Sequence, residues 1–162
     1  MKKRLILHDV ASNNLEFTGI TVTADDTVFP ADPIVGSCIG CYSCWIKTPG
    51  KCAIEDRGQN FAALLSTHDE FIAVSRLVFG GFSPPVKALL DRSIGNILPF
   101  FHVIGHETHH PKRGDGKLTL RYIFYGPNMT PRDKEIATEF TAANARNLSA
   151  EKYTVEFHQQ EI

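Results

Sequence analysis

Residues 70–93, EFIAVSRLVFGGFSPPVKALLDRS, decide the fold. Glu70 to Phe79 is an apolar run of strand length, and Gly80-Gly81 ends it. A glycine pair at that place most often marks a turn from strand to helix. Pro84-Pro85 then opens a helix that carries Val86, Leu89, Leu90 and Ile94, with proline at the first-turn position a helix tolerates. A strand that feeds a helix is one half of a parallel unit, and the rest of the chain repeats the alternation. The expectation is an α/β domain with a mostly parallel sheet.

Working outward on the N-terminal side, Arg4 to Asp9 reads as the opening strand and Val10 to Asn14 as a polar turn. Ile20 to Asp25 alternates apolar Ile20, Val22 and Ala24 with polar residues, the pattern of a second strand. No helical pattern lies between these two strands. Asp26 to Gly36, with Pro30 and Pro33, reads as loop, and Gln59 to Thr67 as a helix with Phe61, Leu64 and Leu65 on one face. On the C-terminal side, Asn96 to Lys117 reads as a long irregular connection rich in His and Gly. Leu118 to Tyr125 is a strand stopped by Gly126-Pro127. Thr130-Pro131-Arg132-Asp133 resembles a capping box and starts a helix that runs to about Leu148. Tyr153 to Gln159 is the last strand. The 162 residues form a single domain, 1–162, long enough for a full core.

Hydrophobic residues make up 43% and charged residues 22%, with a net charge of −1. That balance gives no electrostatic footprint for nucleic acid or an anionic membrane, so neither is an expected partner. The basic start, Met1 to Arg4, is followed only by Leu5-Ile6-Leu7 before His8-Asp9. This is too short for a signal-peptide core, and no later run is long enough to span a bilayer. A cytoplasmic location is expected. In that reducing compartment, clustered cysteines are ligands or redox thiols more often than disulfides.

All four cysteines fall within Ser37–Asp56, SCIGCYSCWIKTPGKCAIED, at Cys38, Cys41, Cys44 and Cys52. Cysteines used as small core hydrophobes scatter along a chain, and these do not. Three thiols at successive x2 spacings can turn toward one centre, and Pro49-Gly50 supplies a turn that returns the fourth. Thiolate ligation of an iron–sulfur cluster uses runs of this kind. Zinc is the competing metal, although its sites usually come as two separated C-x2-C pairs. The remaining alternative is a loop of four reduced thiols packed around Trp45.

His106-Glu107-Thr108-His109-His110 matches the zinc-protease string H-E-x-x-H. That chemistry needs a sustained helix, which Gly105 and Pro111 do not leave room for, so the match is set aside. Leu98-Pro99-Phe100-Phe101, in the same excursion, is an apolar patch that needs a partner surface.

Three segments, CIGCYSCWIKTPGKC, GGFSPPVKALLDRS and YGPNMTPRDKE, together resemble the NADPH-dependent FMN reductase family and its relatives, the iron–sulfur flavoproteins. The resemblance implies a flavodoxin-like fold with a five-stranded, mostly parallel sheet, here with the first and last helices of that fold missing. It implies FMN at the carboxyl ends of the strands, with NAD(P)H or a protein as electron donor. The ring would lie against Phe79, Gly80, Gly81, Phe82 and Ser83 on one side, and Tyr125 and Gly126 on the other. The family's Gly-Ser-rich phosphate loop is reduced here to Ser12-Asn13, and Asp9 puts a carboxylate near the phosphate position. Ser75-Arg76 stands where the family tends to have Thr-Pro. No side chain stands out as a catalytic acid, base or nucleophile, and flavin chemistry needs none. The implied function is an FMN-dependent oxidoreductase with a cysteine-ligated cluster. The alternative is a flavodoxin-like subunit that has lost FMN and serves as a binding or assembly protein.

The strands alternate where doubly covered parallel strands would be continuously apolar. One face would carry Arg4, Arg121, Ile123, Tyr125 and Glu156 without a helix to cover it. A second subunit is expected over that face, most simply in a two-fold homodimer. The alternative is that residues 15–36 fold back as the cover.

Overall fold

The computed structural model describes residues 2–11 and 14–159. Strand β1 (Arg4–His8) lies at the centre of the first half, with β2 (Thr27–Pro30) on one side and β3 (Glu70–Val78) on the other. Beyond β3, a two-residue strand β4 (Gly81–Phe82) turns back antiparallel on Leu77 and Val78. The main sheet continues through β7 (Thr119–Gly126) to β8 (Lys152–Gln159). Its order is β2-β1-β3-β7-β8 and every pairing along it is parallel, which is the flavodoxin-like arrangement. The strand order reverses between β1 and β3, which places the crevice where such folds hold ligands at their carboxyl ends.

The helices are α1 (Ser43–Ile46), α2 (Phe61–Ser66), α3 (Pro84–Arg92) and α4 (Pro131–Asn147). Longer-range packing follows the sequence. Val86, Leu89 and Leu90 of α3 are buried, and α4 presents the small residues Ala137, Thr141 and Ala145 at four-residue intervals, so it lies close on the sheet. The capping box at its start is complete, with Thr130 and Asp133 each holding the other's backbone N–H. One core lies between this helical layer and Leu5, Leu7, Phe71, Ala73, Leu120, Tyr122 and Phe124 of the strands.

Three expectations are corrected. Ile20–Asp25 is not a strand. Asp26 accepts from the backbone and hydroxyl of Thr23 and so closes a turn, leaving the strand to begin at Thr27, within the stretch read as loop. Three alternating apolar residues were too few to outweigh that local turn; Val22 and Ala24 are exposed, and only Ile20 is buried. The connection 96–117 is not wholly irregular. It contains the hairpin β5 (His102–Ile104) and β6 (Glu107–His109), closed by Leu98 and Arg113 hydrogen bonds at its base. The residues of the H-E-x-x-H string thus form its turn and returning strand.

The opposite sheet face carries a second core. Ile6, Ile72, Val74, Ile123 and Tyr125 pack against Val10, Leu15, Ile20 and Phe17, which belong to the segment after β1. Among the described residues no α-helix joins β1 to β2, and this irregular segment with a short 3-10 turn at Glu16–Thr18 is the cover. It is held by charge as well as by apolar contact. Arg121 pairs with Glu156 at 2.6 Å and donates to the Thr18 carbonyl, and Arg4 pairs with Asp26 through Nε at 2.7 Å. The fold-back read as an alternative is therefore present in its first part. No helix among the described residues is long and apolar enough to cross a membrane.

Candidate functional site

Two cavities lie at opposite ends of α3. The first is a cleft of about 670 Å³ beyond the carboxyl ends of β1, β3 and β7, lined by Asp9, Arg76, Val78, Phe79, Ser83, Pro84, Tyr125 and Gly126 among others. This is the size of a small-molecule site. Its walls form because β3 is followed by two left-handed residues, Phe79 (φ 49°) and Gly80 (φ 75°), and β4 then folds back. Such a conformation costs a non-glycine residue roughly 1–2 kcal/mol. Phe79 bears that strain with its ring 95% exposed at the cleft.

Phe79, Ser83, Tyr125 and Gly126 meet in this cleft. Gly80, Gly81 and Phe82 serve the turn instead. A Cβ at Gly80 would come within 2.6 Å of Ile136 Cγ2, so its glycine is required by packing on α4. Phe82 points inward onto Phe124, Tyr122 and Phe140. Ser12 and Asn13 lie outside the described residues. Ser83 Oγ is buried without a hydrogen-bond partner.

Asp9 organises the anionic end of the cleft. Its backbone N–H donates to Val74, and its carboxylate accepts from the Arg76 backbone N–H at 3.1 Å and from the Tyr125 hydroxyl at 2.9 Å. Burial, followed by the Asp9 carboxylate, pushes the Tyr125 hydroxyl far above its ordinary value, so it stays protonated. His8 beneath it is buried, and that burial lowers its pKa and favours the neutral ring.

The second cavity, about 320 Å³, is lined by all four cysteines together with Ile39, Ile54, Asp91 and Arg92. Gly40 (φ 66°) and Tyr42 (φ 54°) turn the chain between the first three thiols. Trp45 Nε1 donates to the Ile94 carbonyl at 2.8 Å and anchors α1 onto the turn after α3. Gly95 lets that turn approach, since a Cβ there would stand 3.3 Å from Cys44 Cβ. Cys52 is tied by its N–H to Gln59. Cys38 and Cys41 are exposed, Cys52 is half-buried and Cys44 is buried. The Cys44 thiol is pushed up by burial and then by the charges of Cys52, Cys38 and Cys41, the other three members of the set. Cys41 is lowered by hydrogen bonds from Ser43. Among the described residues no three His, Cys, Asp or Glu groups converge on the point a single ion would occupy.

Arg92 forms the buried wall of this cavity. Its side chain is fully buried, donates to Asp56 at 2.6 Å and to the carbonyls of Gly36 and Ile54, and keeps Nε without a partner. Burial works against its charge, and the hydrogen bond to Asp56, followed by its interactions with Cys52, outweighs that and keeps it protonated. Sequence reading did not single out Asp9's hydrogen bonds or the place of Arg92. Asp-Arg at the end of a helix is visible as a charged pair, but the cavity it faces is built from residues about 40–55 positions away.

No family model matches the chain. A 63-residue stretch is 40% identical to an iron-sulfur flavoprotein of Methanocaldococcus jannaschii, covering 39% of this chain and 32% of that protein. The match thus spans about a third of the relative's length. The NAD(P)H:quinone oxidoreductase of Methanothermobacter marburgensis superposes over 99% of this chain and 88% of its own, with TM-score 0.63 and 13% identity. An FMN-dependent NADH-azoreductase of Bacillus anthracis, solved with FMN, covers 98% of this chain and 87% of its own at TM-score 0.57 and 13% identity. These likenesses establish the flavodoxin-like α/β fold.

Proposed function

We propose that the protein is a flavin-dependent oxidoreductase of the NAD(P)H-dependent FMN reductase type with a cysteine-ligated iron–sulfur cluster beside its flavin. The observation that supports this most is α3, whose first residues line the cleft and whose last residues line the cysteine cavity. At 1.5 Å per residue, its nine residues set the two spaces roughly 13 Å apart along the helix.

Four cysteines lining one cavity offer the thiolate ligands that an iron–sulfur cluster takes. The buried Arg92 guanidinium, with an unused Nε, offsets the charge that thiolate ligands bring. Tyr42 and Trp45 pack on each other beside the thiols, with ring centroids 5.2 Å apart. In the cleft, the flat ring of a flavin suits the exposed Phe79 surface and the side-chain-free backbone of Gly126. Bound flavin and cluster would supply hydride and single-electron chemistry, and the protein supplies orientation and electrostatics. Tyr125, held protonated against Asp9, positions that carboxylate rather than acting as a base.

The visible spectrum of the purified protein tests the reading. Two flavin bands that bleach on addition of NADH or NADPH are expected. Colourless protein that ignores added flavin contradicts it. That result would favour the second reading, a flavodoxin-like subunit without flavin that works in binding or assembly, to which the Asp9 carboxylate lends support.

A further inference from the structure

We infer that the cleft recognises its flavin by the ring and not by the phosphate ester, because the Asp9 carboxylate sets a negative charge at that edge and occupies two of its donors, the Arg76 N–H and the Tyr125 hydroxyl. The inference rests on the flavin reading above.

In an open parallel sheet the ligand's anionic end lies beyond the first strand, where free backbone N–H groups attract it, usually at a helix N-terminus. The residue directly after β1 here is Asp9. Two donors reach it from the strands that flank the crevice, the Arg76 N–H from the end of β3 and the Tyr125 hydroxyl from β7. Both therefore already serve an internal carboxylate. A phosphate brought to the same edge meets a fixed like charge, a repulsion that a partly dehydrated cleft strengthens. Burial keeps His8 neutral, so it adds no compensating charge. Arg76 is the cation of the described lining, and its side chain is exposed at the rim, with Cγ about 4.0 Å from where a Gly126 Cβ would stand. By contrast, Phe79, the side chain most open at the cleft, carries no charge.

The test is a titration of the full chain, stripped of flavin, with riboflavin and with FMN, followed by quenching of flavin fluorescence. Riboflavin binds at least as tightly as FMN if the inference holds. Asp9→Asn then tightens FMN threefold or more and leaves riboflavin unchanged. A readout without a substitution comes from salt. Screening weakens the repulsion, so FMN gains on riboflavin as ionic strength rises. FMN binding tenfold tighter than riboflavin, a ratio that falls with salt, or an Arg76→Gln variant that loses FMN alone would each overturn the inference while leaving the flavin reading intact. Failure of both flavins to bind would overturn the two together.

Discussion

Arg92 and Asp56 show what one buried charge does for this molecule. The guanidinium has no exposed surface, and the carboxylate that balances it is 24% exposed. Removing the cation leaves Asp56 with the backbone N–H groups of Gly36 and Gly58. Arg92→Met is expected to cost about 1.5–3 kcal/mol in urea unfolding, the range for hydrogen bonds to a charged group that stays partly hydrated. A loss below about 1 kcal/mol would mean the pair is solvated. The same bond carries a pH signature. Hydrogen bonding from Arg92 holds Asp56 at about 2, and Arg4 does the same for Asp26, against an ordinary value of 3.8. Folded-state values below the unfolded ones mean stability is fully present above about pH 4 and lost as pH falls toward 2. Each carboxylate contributes roughly 2 kcal/mol to that loss. Unfolding free energy measured between pH 5 and pH 2 should fall accordingly, and a flat profile would contradict both pairs.

Among the elements, those whose signals are local were legible in the sequence. β3, α3 and α4 follow from an apolar run, a proline pair and a capping box, each complete within its own segment. What escaped depends on partners far away. β2 exists because β1 offers a ladder, while Ile20–Asp25 looked more strand-like in isolation. The β5–β6 hairpin needs its two short arms to meet across Gly105-His106, where no strong turn dipeptide announces it. The cleft was half legible. Gly80-Gly81 pointed to the right turn, yet Gly80 is there for Ile136 and Phe82 for the core, while Asp9 finds its partners at positions 76 and 125. Gly80→Ala follows from this. Its φ of +75° and a 2.6 Å approach to Ile136 should destabilise the chain by more than about 1 kcal/mol. A thermal midpoint equal to the parent's would show that α4 yields to the added methyl.

For the whole molecule, the segment after β1 covers much of the helix-free face, and the part of that face on β8 stays open at Thr154. We propose that a two-fold dimer forms over this remaining strip. Sedimentation velocity should then give a dimer at micromolar concentration, and Thr154→Arg should dissociate it. A monomer throughout would leave the intramolecular cover as the whole answer. The central claim reaches further, to two redox centres at the two ends of α3, and the cysteine cavity is where it is most exposed to test. The deciding measurement is the iron and acid-labile sulfide content of protein purified without oxygen, for the parent and for Cys41→Ala. The account predicts brown parent protein containing both, and loss of both in the variant. Four titratable thiols in metal-replete, iron-free parent protein would contradict it.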